Sequence, residues 1–412
     1  MMRAADAAGR REGRGERREE APAPSGNIPL SLYLHFPWCV RKCPYCDFNS
    51  HTVRGDIEED RYVDALIRDL DYELAVTPPA SPLPPLASIF AGGGTPSLFS
   101  GRAIGRVLEA VAARLCFAPD IEITLEANPG TADAHHFREY RAAGVNRLSI
   151  GVQSLDNAQL KRLGRIHGRE EAIAAYRTAR TAGFDNINLD LMFALPQQTP
   201  EQALSDLRAA CALAPEHLSY YQLTLEPNTE FAAHPPPLPD DEAAWAMQLG
   251  GQALLADHGY VQYEVSAYAQ AGRQCRHNRN YWEFGDYLGI GAGAHGKRSG
   301  AAGIIRRARH KHPRTYLESA GTAAAIQEER TVAQAELPFE FAMNALRLNQ
   351  GFGTAEFERR TGLAVGALDA ALNRARQKGL IEEVDGGEGD GGQVRASAFG
   401  RAHLNALMRE FL

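Results

Sequence analysis

Short apolar, β-rich segments alternate with amphipathic helical segments from residue 31 to about residue 224. Strand, helix and strand in succession indicate parallel strands joined by right-handed crossovers. The strand segments are largely apolar throughout, as expected for strands covered on both faces. Six such units predict an α/β fold, an open partial (β/α)6 barrel. The predicted strands are 31–36, 88–92, 121–127, 147–152, 186–193 and 218–224, and the predicted helices include 58–76, 102–115, 156–163, 169–182 and 200–213.

Each predicted strand ends in, or runs into, a polar or glycine-rich sequence. In parallel barrels the carboxyl ends of the strands carry the active site, so these sequences predict one site at a common edge. Any one of them alone is weak evidence, because GGGTP is equally compatible with an ordinary turn. The sequences are a cysteine-rich loop, 92–97 (GGGTPS), 126–129 (EANP), 153–154 (QS), the acid at 190 and 224–226 (TLE).

The cysteine-rich loop follows the first predicted strand. Cys39, Cys43 and Cys46 lie in the segment 33–50, YLHFPWCVRKCPYCDFNS, with the spacing C-x3-C-x2-C. A cubane [4Fe–4S] cluster has four irons and is usually held by four cysteines. Three ligands leave one iron open, and in radical S-adenosylmethionine (SAM) enzymes that iron binds the amino and carboxylate groups of SAM. The spacing therefore favours a [4Fe–4S] cluster that binds SAM.

Zinc binding and disulfide formation are the alternatives for these cysteines. A structural zinc site needs four ligands, commonly as two pairs separated by a longer loop, and no second Cys/His pair follows at a suitable spacing. Disulfides need oxidising surroundings, and the other three of the six cysteines are scattered along the chain. Ligand number and compartment therefore favour the cluster over both alternatives.

SAM offers an amine, a carboxylate, a sulfonium, a ribose diol and an adenine to a binding site. Glycines allow close backbone approach, strand-end acids suit the ribose hydroxyls or the amine, and an arginine can pair with the carboxylate. Core packing is an equally good interpretation of Tyr33 and Tyr45. A solvated surface charge is an equally good interpretation of Arg165. The candidate SAM-binding residues are Tyr33, Tyr45, the glycines at 92 to 94, Glu126, Gln153, Arg165 and Asp190.

The length of 412 residues suits two or three domains. Residues 1–27 are rich in Arg, Glu, Ala and Gly, and are expected to be a disordered tail, neither a secretory signal nor a mitochondrial presequence. We expect a core barrel over 28–240, a connecting region over 241–325 and a winged-helix-like domain over 326–412. That last domain has helices near 336–348, 354–360, 366–378 and 399–411, and a glycine-rich turn at 386–392.

Charge and hydropathy restrict the possible partners. A net charge of −7, without a clustered basic surface, argues against broad nucleic-acid binding. The winged-helix-like segment is not markedly basic, so a packing role is favoured there. No run of 18 or more apolar residues appears, so no membrane span is expected. Reduced thiols and access to iron–sulfur assembly favour the cytoplasm.

On its motifs, the chain over residues 28–412 resembles the family that joins oxygen-independent coproporphyrinogen III oxidase and its paralogues, the HemW-type haem chaperones. The motifs are the cysteine loop, GGGTPS, the Glu126 strand, GVQS, the segment DLMFALPQQT from Asp190, and HNRNYW. The resemblance implies a radical-SAM partial barrel with a small C-terminal domain. It also implies a [4Fe–4S] cluster on Cys39, Cys43 and Cys46. SAM is then expected near Tyr33, Tyr45, Gly93, Gly94, Thr95, Glu126, Gln153, Arg165 and Asp190.

Two features separate the paralogues. The oxidases extend the triad to C-x3-C-x2-C-x-C, whereas this chain has Phe48 at the fourth position. The HemW-type proteins carry H-N-x-x-Y-W, present here from His277 to Trp282. Both features favour haem binding and delivery to an acceptor such as a respiratory haem protein. His277 is the candidate haem ligand, because neutral imidazole is a standard axial donor; a buried structural histidine is the equal alternative, and Cys275 and His295 are further candidates.

Three other functions compete with haem delivery. An anaerobic coproporphyrinogen III oxidase that tolerates Phe48 would convert porphyrinogen and consume SAM, although the missing cysteine makes this activity unexpected. A different radical-SAM enzyme would cleave SAM and have no affinity for haem. A nucleic-acid regulator that uses the winged-helix-like end is the least favoured. No catalytic residue is assigned from the sequence.

Overall fold

The computed structural model describes Pro24 and residues 28–76, 83–131, 134–384 and 392–412. The predicted disordered tail over residues 1–27 therefore lies outside the described residues, apart from Pro24. The predicted glycine-rich turn over 386–392 also lies outside them, apart from Gly392.

The described residues form β-strands and α-helices in close alternation. The strands are β1 Leu30–Phe36, β2 Trp38–Cys39, β3 His51–Thr52, β4 Leu86–Gly93, β5 Phe117–Ala127, β6 Arg147–Gln153, β7 Ile187–Phe193, β8 His217–Gln222, β9 Val261–Glu264, β10 Ala267–Ala269, β11 Asp286–Ile290, β12 His295–Gly300, β13 Gly303–Arg309, β14 Ile326–Thr331, β15 Phe352–Gly353, β16 Ile381–Val384 and β17 Gln393–Ala396. The helices are α1 Glu59–Val76, α2 Gly101–Ala112, α3 Ala134–Ala142, α4 Asn157–Arg162, α5 Arg169–Thr181, α6 Pro200–Cys211, α7 Glu230–Ala233, α8 Asp241–Asp257, α9 Arg276–Trp282, α10 Pro313–Ser319, α11 Leu337–Ala345, α12 Thr354–Thr361, α13 Asp369–Gln377, α14 Ala398–Ala402 and α15 Leu404–Arg409.

One mixed sheet of twelve strands organises most of the chain, in the order β14-β13-β12-β11-β1-β4-β5-β6-β7-β8-β10-β9. The six predicted strands pair in parallel as β1-β4-β5-β6-β7-β8, and β11 adds a parallel neighbour to β1. Antiparallel strands extend both edges. In the described part of the chain the end strands β14 and β9 do not pair with each other. The predicted partial α/β barrel is therefore confirmed as an open sheet.

The parallel strands are covered on both faces, as their apolar sequences predict. Every residue of β1 except Tyr33 is buried. The crossover helices pack an apolar side against the sheet, and one continuous core contains residues of both, such as Leu32, Leu66, Val107 and Leu189. The crossover helices cover the outer face of the sheet. A site can therefore form at the carboxyl ends of the strands, as in other parallel α/β folds.

The short helix α9 packs against buried polar residues of the parallel strands. The Glu122 carboxylate of β5 accepts hydrogen bonds from the backbone N–H groups of Arg276 (3.0 Å) and His277 (3.4 Å), the first residues of α9. A carboxylate in this position satisfies free N–H groups and opposes the positive helix end. Helix α9, which carries the HNRNYW motif, is therefore held against β4 and β5.

The C-terminal region has its own apolar core and a three-stranded sheet, β15-β17-β16. This core joins residues of α11, α12, α13 and α15 and also includes Phe284 and Ile304, which precede the predicted boundary at residue 326. Separately, none of the helices in the described ranges is both long and apolar enough to cross a lipid bilayer.

Candidate functional site

A cavity of about 460 Å³ opens at the carboxyl ends of the parallel strands. We call it the cluster cavity. All the predicted cluster and SAM-binding residues line it except Tyr33, whereas the candidate haem ligands His277, Cys275 and His295 do not. The predicted residues that the structure brings together are Cys39, Cys43, Tyr45, Cys46, Gly93, Gly94, Thr95, Glu126, Gln153, Arg165 and Asp190.

The three predicted cluster cysteines are half-buried along one wall of this cavity, and each thiol has a polar neighbour. The Thr95 hydroxyl donates to Cys39 Sγ (3.3 Å), Arg165 Nη1 donates to Cys43 Sγ (3.5 Å), and Ser50 Oγ lies 3.8 Å from Cys46 Sγ. Burial raises the pKa of Cys39 and of Cys46. Bound iron would hold these thiols as thiolates, and the neighbouring donors suit that charge.

The GGGTPS segment is fixed against the start of the cysteine loop. Gly94 N–H donates to the Phe36 carbonyl and Thr95 N–H to the Trp38 carbonyl, both at 2.7 Å. Gly93 has φ +107°, and a Cβ there would collide with the His35 ring. Glycine is therefore required at this position by both conformation and space. Both Gly93 and Gly94 line the cluster cavity.

Two acids lie in the cavity wall, on strands β5 and β7, which flank β6 in the sheet. Glu126 Oε2 accepts from Gly93 N–H (3.1 Å), while Asp190 accepts from Ser149 Oγ (3.0 Å) and from Asn188 Nδ2 (2.9 Å). Burial, with a smaller contribution from Asp190, raises the pKa of Glu126 to about 8. Burial also raises the pKa of Asp190. A cationic ligand group would stabilise both carboxylates in the ionised form.

Arg165, Gln153 and Tyr45 complete the wall. Arg165 Nη2 donates to the Gly151 carbonyl (2.7 Å), which holds the guanidinium between β6 and the cysteine loop. Gln153, at φ +66°, accepts from the Tyr221 hydroxyl (2.8 Å). Burial raises the pKa of Tyr45, so its hydroxyl is neutral. The arginine is thus a half-buried cation held by two contacts, and not the solvated surface charge of the alternative interpretation.

Tyr33 and His277 lie elsewhere. Tyr33 lines a neighbouring cavity, where its hydroxyl bonds His35 Nδ1 (3.0 Å). His277 is only 1% exposed, and its Nδ1 and Nε2 bond Ser88 Oγ (3.0 Å) and the Tyr281 hydroxyl (3.1 Å). Burial lowers the pKa of His277 to about 3, which keeps the ring neutral. Haem ligation by His277 stays a prediction that would require the ring to leave both partners.

The donors present fit a cluster better than a single metal ion. Three thiols bordering one cavity suit a cuboidal cluster, whose ligands bind separate irons. A mononuclear site instead needs its ligands to converge on one point. Within the described ranges, no three His, Cys, Asp or Glu side chains form a group that could hold one metal ion.

Sequence reasoning missed several residues of the site. Tyr221 lines the cluster cavity and donates to Gln153, while Ser149 and Asn188 orient Asp190. These side chains lie on strands β6, β7 and β8, within largely apolar runs. Their only signal in the sequence is a polar group inside such a run, which a buried hydrogen bond explains equally well.

Known proteins resemble the chain over nearly its whole length. Residues 33–210 match the Radical SAM superfamily, and residues 332–387 match the HemN C-terminal domain. The heme chaperone HemW of Escherichia coli is 49% identical over 93% of this chain and 98% of its own length. HemW of Haemophilus influenzae is 48% identical with the same coverage.

A solved structure gives the same fold. Coproporphyrinogen III oxidase (HemN) from Escherichia coli, a radical SAM enzyme, superposes with a TM-score of 0.78 at 24% identity. The match covers 94% of this chain and 91% of that one. At that identity the likeness concerns the fold alone. The family is shown instead by the two HemW relatives, which match this chain over nearly their whole length. The chain belongs to the HemW heme chaperone family, within the radical SAM superfamily.

Proposed function

We propose that this protein binds haem and transfers it to an acceptor haem protein. The observation that carries the proposal is the 49% identity, over 93% of the chain, with a relative named as a heme chaperone. Phe48 also supports the proposal, because it stands where the oxidase pattern has a fourth cysteine. Its side chain is 61% exposed and lines both open cavities.

We further propose that Cys39, Cys43 and Cys46 hold a [4Fe–4S] cluster with SAM beside it. The cluster, when bound, supplies electrons to the sulfonium of SAM. Gly93 and Gly94 offer backbone groups to the methionine end of SAM, and Glu126 and Asp190 offer carboxylates to its amine or ribose. Support comes from their common position around one cavity of about 460 Å³, within the range of small-molecule sites.

Arg165 and Tyr45 complete the proposed cofactor site. The guanidinium, held by Cys43 Sγ and the Gly151 carbonyl, places a positive charge near the thiolates and the SAM carboxylate. Tyr45 offers an aromatic surface for adenine. We place the protein in the cytoplasm, because all six cysteines are free thiols, as a reducing compartment requires.

The proposed function predicts directed haem transfer. Anaerobically reconstituted protein, loaded with one equivalent of haem, should pass it to an apo b-type cytochrome faster than haem-loaded serum albumin does. Absorbance spectroscopy follows the appearance of the holo-cytochrome. Albumin controls for passive release of haem into solution. Transfer no faster than from albumin would contradict the proposal.

A further inference from the structure

A second cavity of about 470 Å³ adjoins the cluster cavity, and we call it the histidine cavity. The two share Phe48, Ser50, Gly93 and Glu126 as wall residues. Its volume falls within the range of about 300–1,000 Å³ that is usual for cofactor sites. Of its remaining wall, Tyr33 alone is among the candidate SAM-binding residues, so this cavity has room for a second ligand beside SAM.

Three histidines line this cavity, and their rings differ in availability. His35 is occupied, because Nδ1 bonds the Tyr33 hydroxyl and Nε2 lies 2.8 Å from the Asn49 carbonyl. The Nε2 atom of His51 lies near Asn49 Oδ1 (3.2 Å) and the Lys311 carbonyl (3.3 Å). The His295 ring, by contrast, is exposed and has no hydrogen bond with any residue in the described ranges. His295 is therefore the available imidazole of this wall.

The backbone around His295 is built for close approach. Gly291 (φ +106°) passes so near β1 that a Cβ would lie 2.5 Å from the His35 carbonyl oxygen. Asn49 Nδ2, from the end of the cysteine loop, donates to the carbonyls of Ala292 and Lys311, both at 2.8 Å. These contacts fix the turn before β12, and so the position of His295, against the loop that carries the cluster cysteines.

The rest of the wall offers an aromatic surface and two cations. The rings of Tyr281 and Tyr287 pack edge to face, with centroids 4.4 Å apart. The exposed side chains of Lys42 and Lys311 border the cavity, together with the acid Asp47. An apolar, planar ligand with two carboxylates would match aromatic rings and a pair of ammonium groups.

We propose that the histidine cavity is the haem site, with His295 as an axial ligand of the iron and Lys42 and Lys311 facing the two propionates. This inference rests on the haem cargo of the proposed function and adds its position. Neutral imidazole is a standard axial ligand of haem iron. In this site the haem lies beside the cluster cavity. The HNRNYW motif then supports the site without binding the iron, since Tyr281 contributes to the wall while the His277 ring stays bonded to Ser88 and Tyr281.

Spectroscopy of histidine variants tests the axial ligand. His295→Gln should lower haem affinity at least about tenfold, since even residues that only orient a metal ligand cost that much, and should remove the histidine-ligated electron paramagnetic resonance and Soret signature. His312→Gln is the matched control, because His312 is exposed nearby but does not line the cavity. Iron and sulfide content establish that each variant is folded. In His295→Gly, free imidazole should restore the signature.

The outcomes separate this inference from the function it rests on. Absence of saturable haem binding by the native protein would remove the proposed function itself. Native binding that His295→Gln leaves unchanged would overturn only the assignment of His295. Loss of the histidine signature in folded His277→Gln, with His295→Gln unaffected, would also overturn it and place the iron at the motif.

The propionate contacts have a separate test. Lys42→Gln and Lys311→Gln should each weaken haem binding about two- to fivefold, the range of exposed ion pairs. Neither substitution should change the affinity for haem dimethyl ester, whose propionates carry no charge. Equal effects on haem and on the diester would contradict the placement of the propionates.

Discussion

Replacing Cys43 with serine is expected to abolish the iron–sulfur cluster. Anaerobic reconstitution should give about four irons and four sulfides per native chain and close to none in Cys43→Ser, since two thiolates cannot replace three. Cys43 is the most informative position, because its thiol also contacts Arg165 (3.5 Å) in the proposed cofactor site. Chemical analysis of iron and sulfide, with the visible absorbance of the cluster, measures the effect.

Cys116→Ser is the matched control for that experiment. Cys116 is an exposed, free thiol outside the cluster cavity, so the variant should retain the full complement of iron and sulfide. Full iron in Cys43→Ser would contradict the assignment of the triad. So would native protein that takes up one zinc and no iron under the same conditions.

Truncating Asp69 is expected to destabilise the fold by about 3–5 kcal/mol, the cost of breaking a buried ion pair from one side. The Asp69 carboxylate in α1 has no exposed surface and accepts from Arg309 Nε (2.8 Å), the Tyr316 hydroxyl (2.9 Å) and Gly291 N–H (3.2 Å). Asp69→Ala leaves the last two donors without this acceptor, and leaves Arg309 only its contact with Glu73 (2.6 Å). Urea denaturation of the apo protein measures the loss.

An exposed ion pair provides the comparison. Glu318 pairs with Arg314 at 2.9 Å on the surface of α10, and Glu318→Ala should change the free energy of unfolding by no more than about 0.5 kcal/mol. A similarly small change in the free energy of unfolding of Asp69→Ala would mean that the buried network between α1 and β13 does not stabilise the fold. That network also holds the backbone before His295, because Gly291 N–H is one of its donors.

The sequence predicts the parallel half of the fold well, for a physical reason. Strands covered on both faces are continuous apolar runs, and such runs mark β1, β4, β5, β6, β7 and β8 within a few residues. The helix α3 is not among the predicted segments, since AHHFREYRA contains few large apolar residues. Its Phe137 and Tyr140 are nevertheless fully buried.

Long-range pairing is what local patterns do not reveal. Strand β11 pairs in parallel with β1 although about 250 residues separate them, and β12 to β14 extend that edge. Only this pairing brings Ala292 and Lys311 to Asn49 and so forms the histidine cavity. A cavity assembled from such distant segments has no signature in any one of them.

The cluster cavity was accessible to sequence reasoning because most of its residues lie at or near the carboxyl ends of parallel strands. Glu126 and Gln153 lie at the ends of β5 and β6, and Asp190 lies within β7. His277 shows the opposite case. A histidine followed by asparagine and aromatic residues fits a haem ligand and a buried hydrogen-bonded corner equally well, and only the contacts to Ser88 and Tyr281 show its surroundings.

The most direct test of haem carriage is one titration of anaerobically reconstituted, SAM-containing protein. Haem is titrated into one portion, and its binding is followed by absorbance. Coproporphyrinogen III is added to another portion, in which the tetrapyrrole products and the remaining SAM are then analysed. We predict saturation at one haem per chain and unchanged coproporphyrinogen III. Conversion of coproporphyrinogen III with consumption of SAM, and no saturable binding of haem, would contradict the account.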